Sequence, residues 1–368
     1  MTRFIPVVLL AACNFNASMS GPDASVDAAV IDSPPEIDAP EIDALDLCIG
    51  EGANEVCFAA LPTDPLQFAS SETIDASVDS RCTPTTNAAA SGWCVLAGTR
   101  LDVLSGAIVK VIGNKPVVFA TTGEMLIAGT IDVGSRGNAV GAGANPAACT
   151  GGTPASAGNS SGGGFGGSFG GRGANGESAD GGNGGIAPAA AGTVPTLRGG
   201  CAGGAGGAIS GNSAAGGAGG GALALLSRTT IVVPGNLNAS GAGGLVGELV
   251  RQGSGGGGSG GMIVLHAPTI DANGANIFAN GGGGGEGNDL VNVGVVGEAP
   301  LSPSTAGAGG SGTSSGGDGG AGSLGANGGV PPMNASSSNA GGGGGGGGAG
   351  VIRTSAALTG ANVSPAPN

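Results

Sequence analysis

Apolar positions along the chain gather into short runs, and four groups of runs share one internal order. Val117-Val118-Phe119-Ala120 precedes Met125-Leu126-Ile127 and then Gly129-Thr130-Ile131-Asp132-Val133. Leu223-Ala224-Leu225-Leu226 precedes Ile231-Val232-Val233 and Gly235-Asn236-Leu237-Asn238-Ala239. Met262-Ile263-Val264-Leu265 precedes Ile270-Asp271-Ala272 and Gly274-Ala275-Asn276-Ile277-Phe278-Ala279. A looser copy is Val351-Ile352-Arg353-Thr354, Ala356-Ala357-Leu358 and Gly360-Ala361-Asn362-Val363, and a leading half-copy lies at Leu101-Asp102-Val103 and Ala107-Ile108-Val109-Lys110-Val111. In three copies a glycine stands eleven positions after the second residue of the first run, from 118 to 129, 224 to 235 and 263 to 274. Runs this short, β-branched and bounded by turn residues predict strands.

No such unit can bury its apolar face alone, so copies must stack. The pattern predicts an all-β fold, a short parallel β-helix over 98–363 in which each strand lies on its counterpart and inward side chains form columns. The glycine-rich tracts 134–220, 241–260 and 280–350 then fall between rungs at one corner, as long loops. A small sandwich of unrelated strands, or wholly disordered tracts, would give the same short runs. A polyproline II-like bundle of glycine segments demands a steady period of three, which residues 151–220 do not keep in sequence.

Composition limits the core. Of 368 residues, 85 are Gly and none is Tyr, with one Trp and one His. Glycine adds no side chain to a core and loses the most backbone freedom on ordering. The net charge is −14, and residues 21–47 carry eight of the 25 acids (Asp23, Asp27, Asp32, Glu36, Asp38, Glu41, Asp43, Asp46) and no base. The body is therefore only mildly acidic. With 11 cations and no basic patch, the chain lacks the source of affinity for a nucleic-acid backbone.

The N-terminus reads as an export signal: Arg3, then the apolar Ile5-Pro6-Val7-Val8-Leu9-Leu10. Leu10-Ala11-Ala12-Cys13 resembles a bacterial lipobox. That resemblance implies a signal peptide over 1–12, a mature N-terminus at Cys13 bearing lipid, and, with Asn14 rather than Asp after it, sorting to the outer membrane. Residues 13–47 read as a disordered acidic tether with Pro34-Pro35 and no apolar periodicity. A flexible chain of that length spans about 30–35 Å. The expected partner is a membrane reached through Cys13, with the body at the cell surface or the periplasmic face.

Once Cys13 is assigned to lipid, Cys48, Cys57, Cys82, Cys94, Cys149 and Cys201 remain. An even set in an exported chain reads as disulfides. Six cysteines allow 15 connectivities, and proximity favours 48 with 57, 82 with 94 and 149 with 201. Zinc is disfavoured, because no Cys-x-x-Cys pair occurs and His266 lies 65 residues past Cys201. Residues 48–97 are expected to form a small Cys-containing region, and 364–368 a tail.

Candidate chemistry is thin. Asp102, Asp132 and Asp271 stand singly on the predicted strands, without a neighbouring carboxylate for acid–base work. His266 has no nucleophile in a recognisable motif. Gly284-Gly285-Glu286-Gly287-Asn288-Asp289-Leu290-Val291-Asn292 fits the calcium-binding β-roll nonapeptide once, which makes Asp289 a calcium candidate. Such sites form between tandem copies, and here there is one. The octamer Gly341 to Gly348 lacks the lysine of a phosphate loop. The expectation is a non-enzymatic protein without a cofactor or resident metal.

An apolar rung, then Ala239-Ser240-Gly241 or Ala279-Asn280-Gly281, then a glycine tract, resembles glycine-rich bacterial surface lipoproteins and adhesin-like proteins with a pectin-lyase-like β-helix. The composition is also similar to the glycine-rich parts of PE-PGRS proteins, without the PE module. The resemblance covers residues 98–363 and carries over no catalytic residue. It implies a structural or adhesin-like role in contact with a surface matrix. The rival expectation is a module that binds or processes extracellular polysaccharide, with or without calcium.

Overall fold

The structure, a computed structural model, describes residues 47–312, 314–333 and 339–368. Cys13, the signal segment 1–12 and the tether up to residue 46 lie outside the described residues.

The apolar runs form strands, and the strands pair in parallel. In chain order they are β1 (Cys48–Ile49), β2 (Val56–Cys57), β3 (Leu66–Phe68), β4 (Glu72–Asp75), β5 (Cys94–Gly98), β6 (Leu101–Val103), β7 (Ile108–Ile112), β8 (Val117–Thr121) and β9 (Met125–Ile127). There follow β10 (Thr130–Asp132), β11 (Ala222–Ser227), β12 (Thr230–Val232), β13 (Asn236–Asn238), β14 (Met262–His266), β15 (Thr269–Asp271), β16 (Asn276–Phe278), β17 (Val351–Thr354) and β18 (Asn362–Ser364). Apart from the antiparallel pair β1–β2, they build three parallel sheets ordered β18-β16-β13-β10-β7-β4, β17-β14-β11-β8-β5 and β15-β12-β9-β6-β3. The chain visits the sheets in a fixed rotation: β5, β6, β7, then β8, β9, β10, and so on through β16. The chain is thus all-β, and its helical segments among the described residues are two short turns, Gly52–Asn54 and Ala88–Ala90.

Register puts like on like. Leu96, Phe119, Leu225 and Leu265 stack in one column, and Val117, Leu223, Ile263 and Ile352 in another. Leu101, Met125 and Ile231 from the sheet of β3, β6, β9, β12 and β15 and Val109, Ile131, Leu237 and Ile277 from the six-stranded sheet meet them in one core. Phe68 adds an edge-to-face contact with Phe119, ring centroids 6.0 Å apart. The alternate residues Val118, Ala224 and Val264 face a second cluster, with Ile49, Val56 and Phe58 from the N-terminal arm and Phe169, Val194 and Leu197 from the first glycine tract. Strands β8 and β11 are therefore buried on both faces, which is why they read as unbroken apolar runs rather than as alternation.

The register also adjusts the sequence alignment. Val118, Ala224 and Val264 are partners, so Ile263 belongs opposite Leu223. The third unit has one residue fewer before β15 and one more before β16; counted from the register partner Val264, Gly274 comes after ten residues, and the spacing of eleven arises because this run starts one residue earlier, at Met262. Residues 48–97 contribute β3, β4 and most of β5 to the sheets. The disulfides are Cys48–Cys57, Cys82–Cys94 and Cys149–Cys201.

All three glycine tracts leave the six-stranded sheet, after β10, β13 and β16, and return to the same five-stranded sheet at β11, β14 and β17. Expected as loops, they are instead bonded to one another. Gly164 and Gly167 donate to the carbonyls of Ser254 and Gly257; Ser254 and Gly257 donate to Gly342 and Gly345; Gly342, Gly345 and Gly348 donate back to Ser161, Gly164 and Gly167. Gly163 and Gly166 donate to Glu177 and Ala174, while Phe165 and Gly162 accept from Gly204 and Gly207. Bonds to any one neighbour recur every third residue, the period of polyproline II. The sequence of 151–220 hides this period because turns reset its phase: segments 200–209 and 212–220 run antiparallel around Ser210 and Gly211, both at positive φ.

Glycine is needed in this layer for closeness. A Cβ on Gly344 would lie 2.0 Å from the Gly255 carbonyl oxygen, one on Gly164 2.0 Å from that of Gly204, and one on Gly256 2.0 Å from that of Phe165. Backbone carbonyls occupy the space a side chain would need.

Candidate ligand cleft

The outward face of the six-stranded sheet repeats a polar residue on successive strands. Thr130, Asn236, Asn276 and Asn362 are register partners on β10, β13, β16 and β18. Their side chains form a ladder: Asn236 Nδ2 donates to Thr130 Oγ1 at 3.1 Å, Asn276 Nδ2 to Asn236 Oδ1 at 2.9 Å, and Asn362 Nδ2 to Asn276 Oδ1 at 3.1 Å. An amide carries two N–H donors and an oxygen with two lone pairs, so each rung keeps hydrogen-bonding capacity after closing the ladder. Spacing along it follows the strand separation, about 4.8 Å.

One column over, Lys110, Asp132, Asn238 and Phe278 are partners. Asp132 accepts from Lys110 Nζ at 2.9 Å, Gly134 N at 2.9 Å and Asn238 Nδ2 at 2.8 Å. Its carboxylate holds the strand end and its cation.

These residues floor a cleft of about 470 Å³, with Ile108 and Phe278 as apolar walls and Leu301, Ser302, Pro303 and Ser304 along one side. That size suits a small organic ligand or a glycan segment. The segment 301–304 is fixed from below, since Asn280 Nδ2 donates to the Ser302 and Thr305 carbonyls and the Ser302 hydroxyl bonds those of Ser304 and Thr305. Arg136 stands exposed at the margin, and none of the four ion pairs among the described residues includes it.

The other sequence candidates lie apart. Asp102 on β6 pairs with Arg100. Asp271, at the end of β15, accepts Asn273 N at 3.0 Å. In sheet order β9 and β12 separate them, and Asp132 belongs to another sheet. His266 closes β14 beside a recess of about 320 Å³ with Glu51, Asn54 and Arg353.

Asp289 is occupied by its own chain. Oδ1 accepts the N–H groups of Val291 and Asn292 at 2.6 Å, and Oδ2 accepts Ser315 N at 2.8 Å and Asn292 Nδ2 at 3.2 Å. The backbone N–H of Asn292, then those of Ser315 and Val291, hold its pKa well below the usual carboxylate range. The residue organises a loop, and its oxygens are turned to donors rather than to a cation. Nearby Glu286 is fully buried, with Oε2 accepting Val295 N at 2.9 Å and Oε1 without a hydrogen-bond partner, and desolvation pushes its pKa up. The one grouping of metal-ligand types among the described residues, Cys48, Glu55 and Cys57, has its sulfurs joined to each other.

The cleft residues Asn236, Asn276 and Asn362 were not singled out from the sequence, although three of the four repeats display the signal, an asparagine immediately before the inward apolar residue of the third strand, where the first repeat has Thr130. Arg136 and Leu301 carry no such mark, because the glycine tracts place them.

No protein family, curated protein or solved structure matches the chain. Its functional reading rests on this geometry.

Proposed function

We propose that the three sheets are the faces of a short parallel β-helix and that the chain is a non-enzymatic outer-membrane lipoprotein, anchored through Cys13, with a structural or adhesive role at the cell surface. The rotation of strands among the sheets and their stacked apolar columns support the β-helix. The observation that carries the functional reading is the mutual bonding of the three glycine tracts: it turns the most flexible residue type into a cross-linked layer, a body suited to display. The carboxylates examined as catalytic candidates serve backbone and cation contacts. Protease treatment of intact producing cells tests the placement. Release of a fragment carrying residues 98–368 is expected. Protection until the outer membrane is broken would place the body in the periplasm and remove the surface role.

The amide ladder favours a second reading, extracellular glycan binding. A row of side-chain amides beside an aromatic ring offers the paired donors and acceptors that sugar hydroxyls need. Retention of the full chain on a glycan matrix, lost in Asn276→Leu, is the expected result; equal retention of that variant would count against it.

A further inference from the structure

The cleft does not end at Arg136. A second pocket of about 350 Å³ shares Arg136 and Leu301 with the first, so the two adjoin at these side chains. Its walls change character: Leu245, Val296, Ala299 and Leu301 replace the amides. Two of these lining residues are large apolar side chains left open to solvent, Val296 46% and Leu301 69% accessible. Contiguous exposed apolar surface on a soluble body marks a binding site.

A polar floor running into an apolar trough is a poor fit for a uniformly hydroxylated polymer, which would leave the trough empty or desolvate its hydroxyls there without partners. It fits a molecule divided in the same way. We propose that the joined clefts bind an amphiphilic glycan, with the sugar head on the Asn236–Asn276–Asn362 ladder and an alkyl tail between Leu245, Val296 and Leu301. Arg136, at the join, meets the oxygen-rich linkage between head and tail, where its fan of N–H donors finds acceptors. Glu298 lines the trough but is itself exposed, so its carboxylate keeps its water. This proposal rests on the glycan reading of the ladder and adds the tail site to it.

The test is equilibrium dialysis of the 368-residue chain against decyl maltoside, below its micelle-forming concentration, and against maltose. Decyl maltoside is expected to bind at least about tenfold more tightly than maltose, the range that burial of an alkyl chain supplies. Val296→Asn, a change at an exposed position that lines only the second pocket, should bring decyl maltoside down to the affinity of maltose and leave maltose unchanged. Equal binding of the two ligands would overturn the tail site while keeping the glycan reading. Binding of neither would remove both. Tight decyl maltoside binding that Val296→Asn does not alter would place the alkyl chain elsewhere and overturn the proposal.

Discussion

The sheet stack and the glycine layer bury their polypeptide in opposite ways. In the stack, side chains do the work: columns such as Leu96, Phe119, Leu225 and Leu265 fill the space between three sheets. In the layer, backbones approach until carbonyl oxygens occupy the volume of absent Cβ atoms, and stability comes from hydrogen bonds three residues apart. One region depends on what its residues add, the other on what they lack. A mutation that enlarges a residue should therefore be tolerated differently in each.

The sharpest contrasts are in stability, read by denaturant unfolding. Phe119→Ala should cost about 4 kcal/mol by opening a cavity at the centre of the stack. Replacing Cys149 and Cys201 with Ser should cost a similar amount, about 4 kcal/mol, because the closed loop of 52 residues is mostly flexible glycine and alanine when unfolded. Gly344→Ala adds one methyl group, yet it should cost about 3 kcal/mol, since the Gly255 carbonyl must move. Gly274→Ala meets nothing within 4 Å and should cost about 1 kcal/mol, from its φ of +79° alone. Equal costs for Gly344→Ala and Gly274→Ala would show that the layer is loosely packed and break the comparison.

A smaller effect separates two carboxylates of the layer by sign. Asp289 has a lowered pKa, so its stabilising contribution is present above the unfolded carboxylate pKa and is lost as pH falls below it. Glu286 has a raised pKa, so its contribution is fullest in acid and is lost as pH rises through the folded value. Between pH 3 and 7, Glu286→Gln should make stability climb more steeply with pH, and Asp289→Asn should flatten the climb, in unfolding curves collected across that range.

Much of the stack was legible in sequence. The runs at Val117, Leu223, Met262 and Val351 are the strands β8, β11, β14 and β17, and the half-copy at Leu101 and Ala107 marks β6 and β7. Apolar density announced them. Strands β3 and β4 were not visible, because Leu66-Gln67-Phe68 and Glu72-Thr73-Ile74-Asp75 carry few apolar residues and gain their place by edge pairing with β6 and β7. The order of the glycine tracts was illegible for a different reason. A residue without a side chain leaves no pattern of faces, and only the backbone bonding shows which segment meets which. The same gap hid half of the cleft: the ladder follows the strand repeat, whereas Arg136 and Leu301 are delivered by the tracts.

The cyclic bonding of 161–167, 254–260 and 342–348 also sets an order of events. Each segment needs the other two, and nearly 190 residues separate the first from the last. Pairings so distant in sequence form slowly. The rungs can stack as they are made, but the layer cannot close until the chain has been delivered through residue 348. A polypeptide of this design stays incompletely knitted for most of its synthesis, a condition compatible with being threaded across a membrane before it folds.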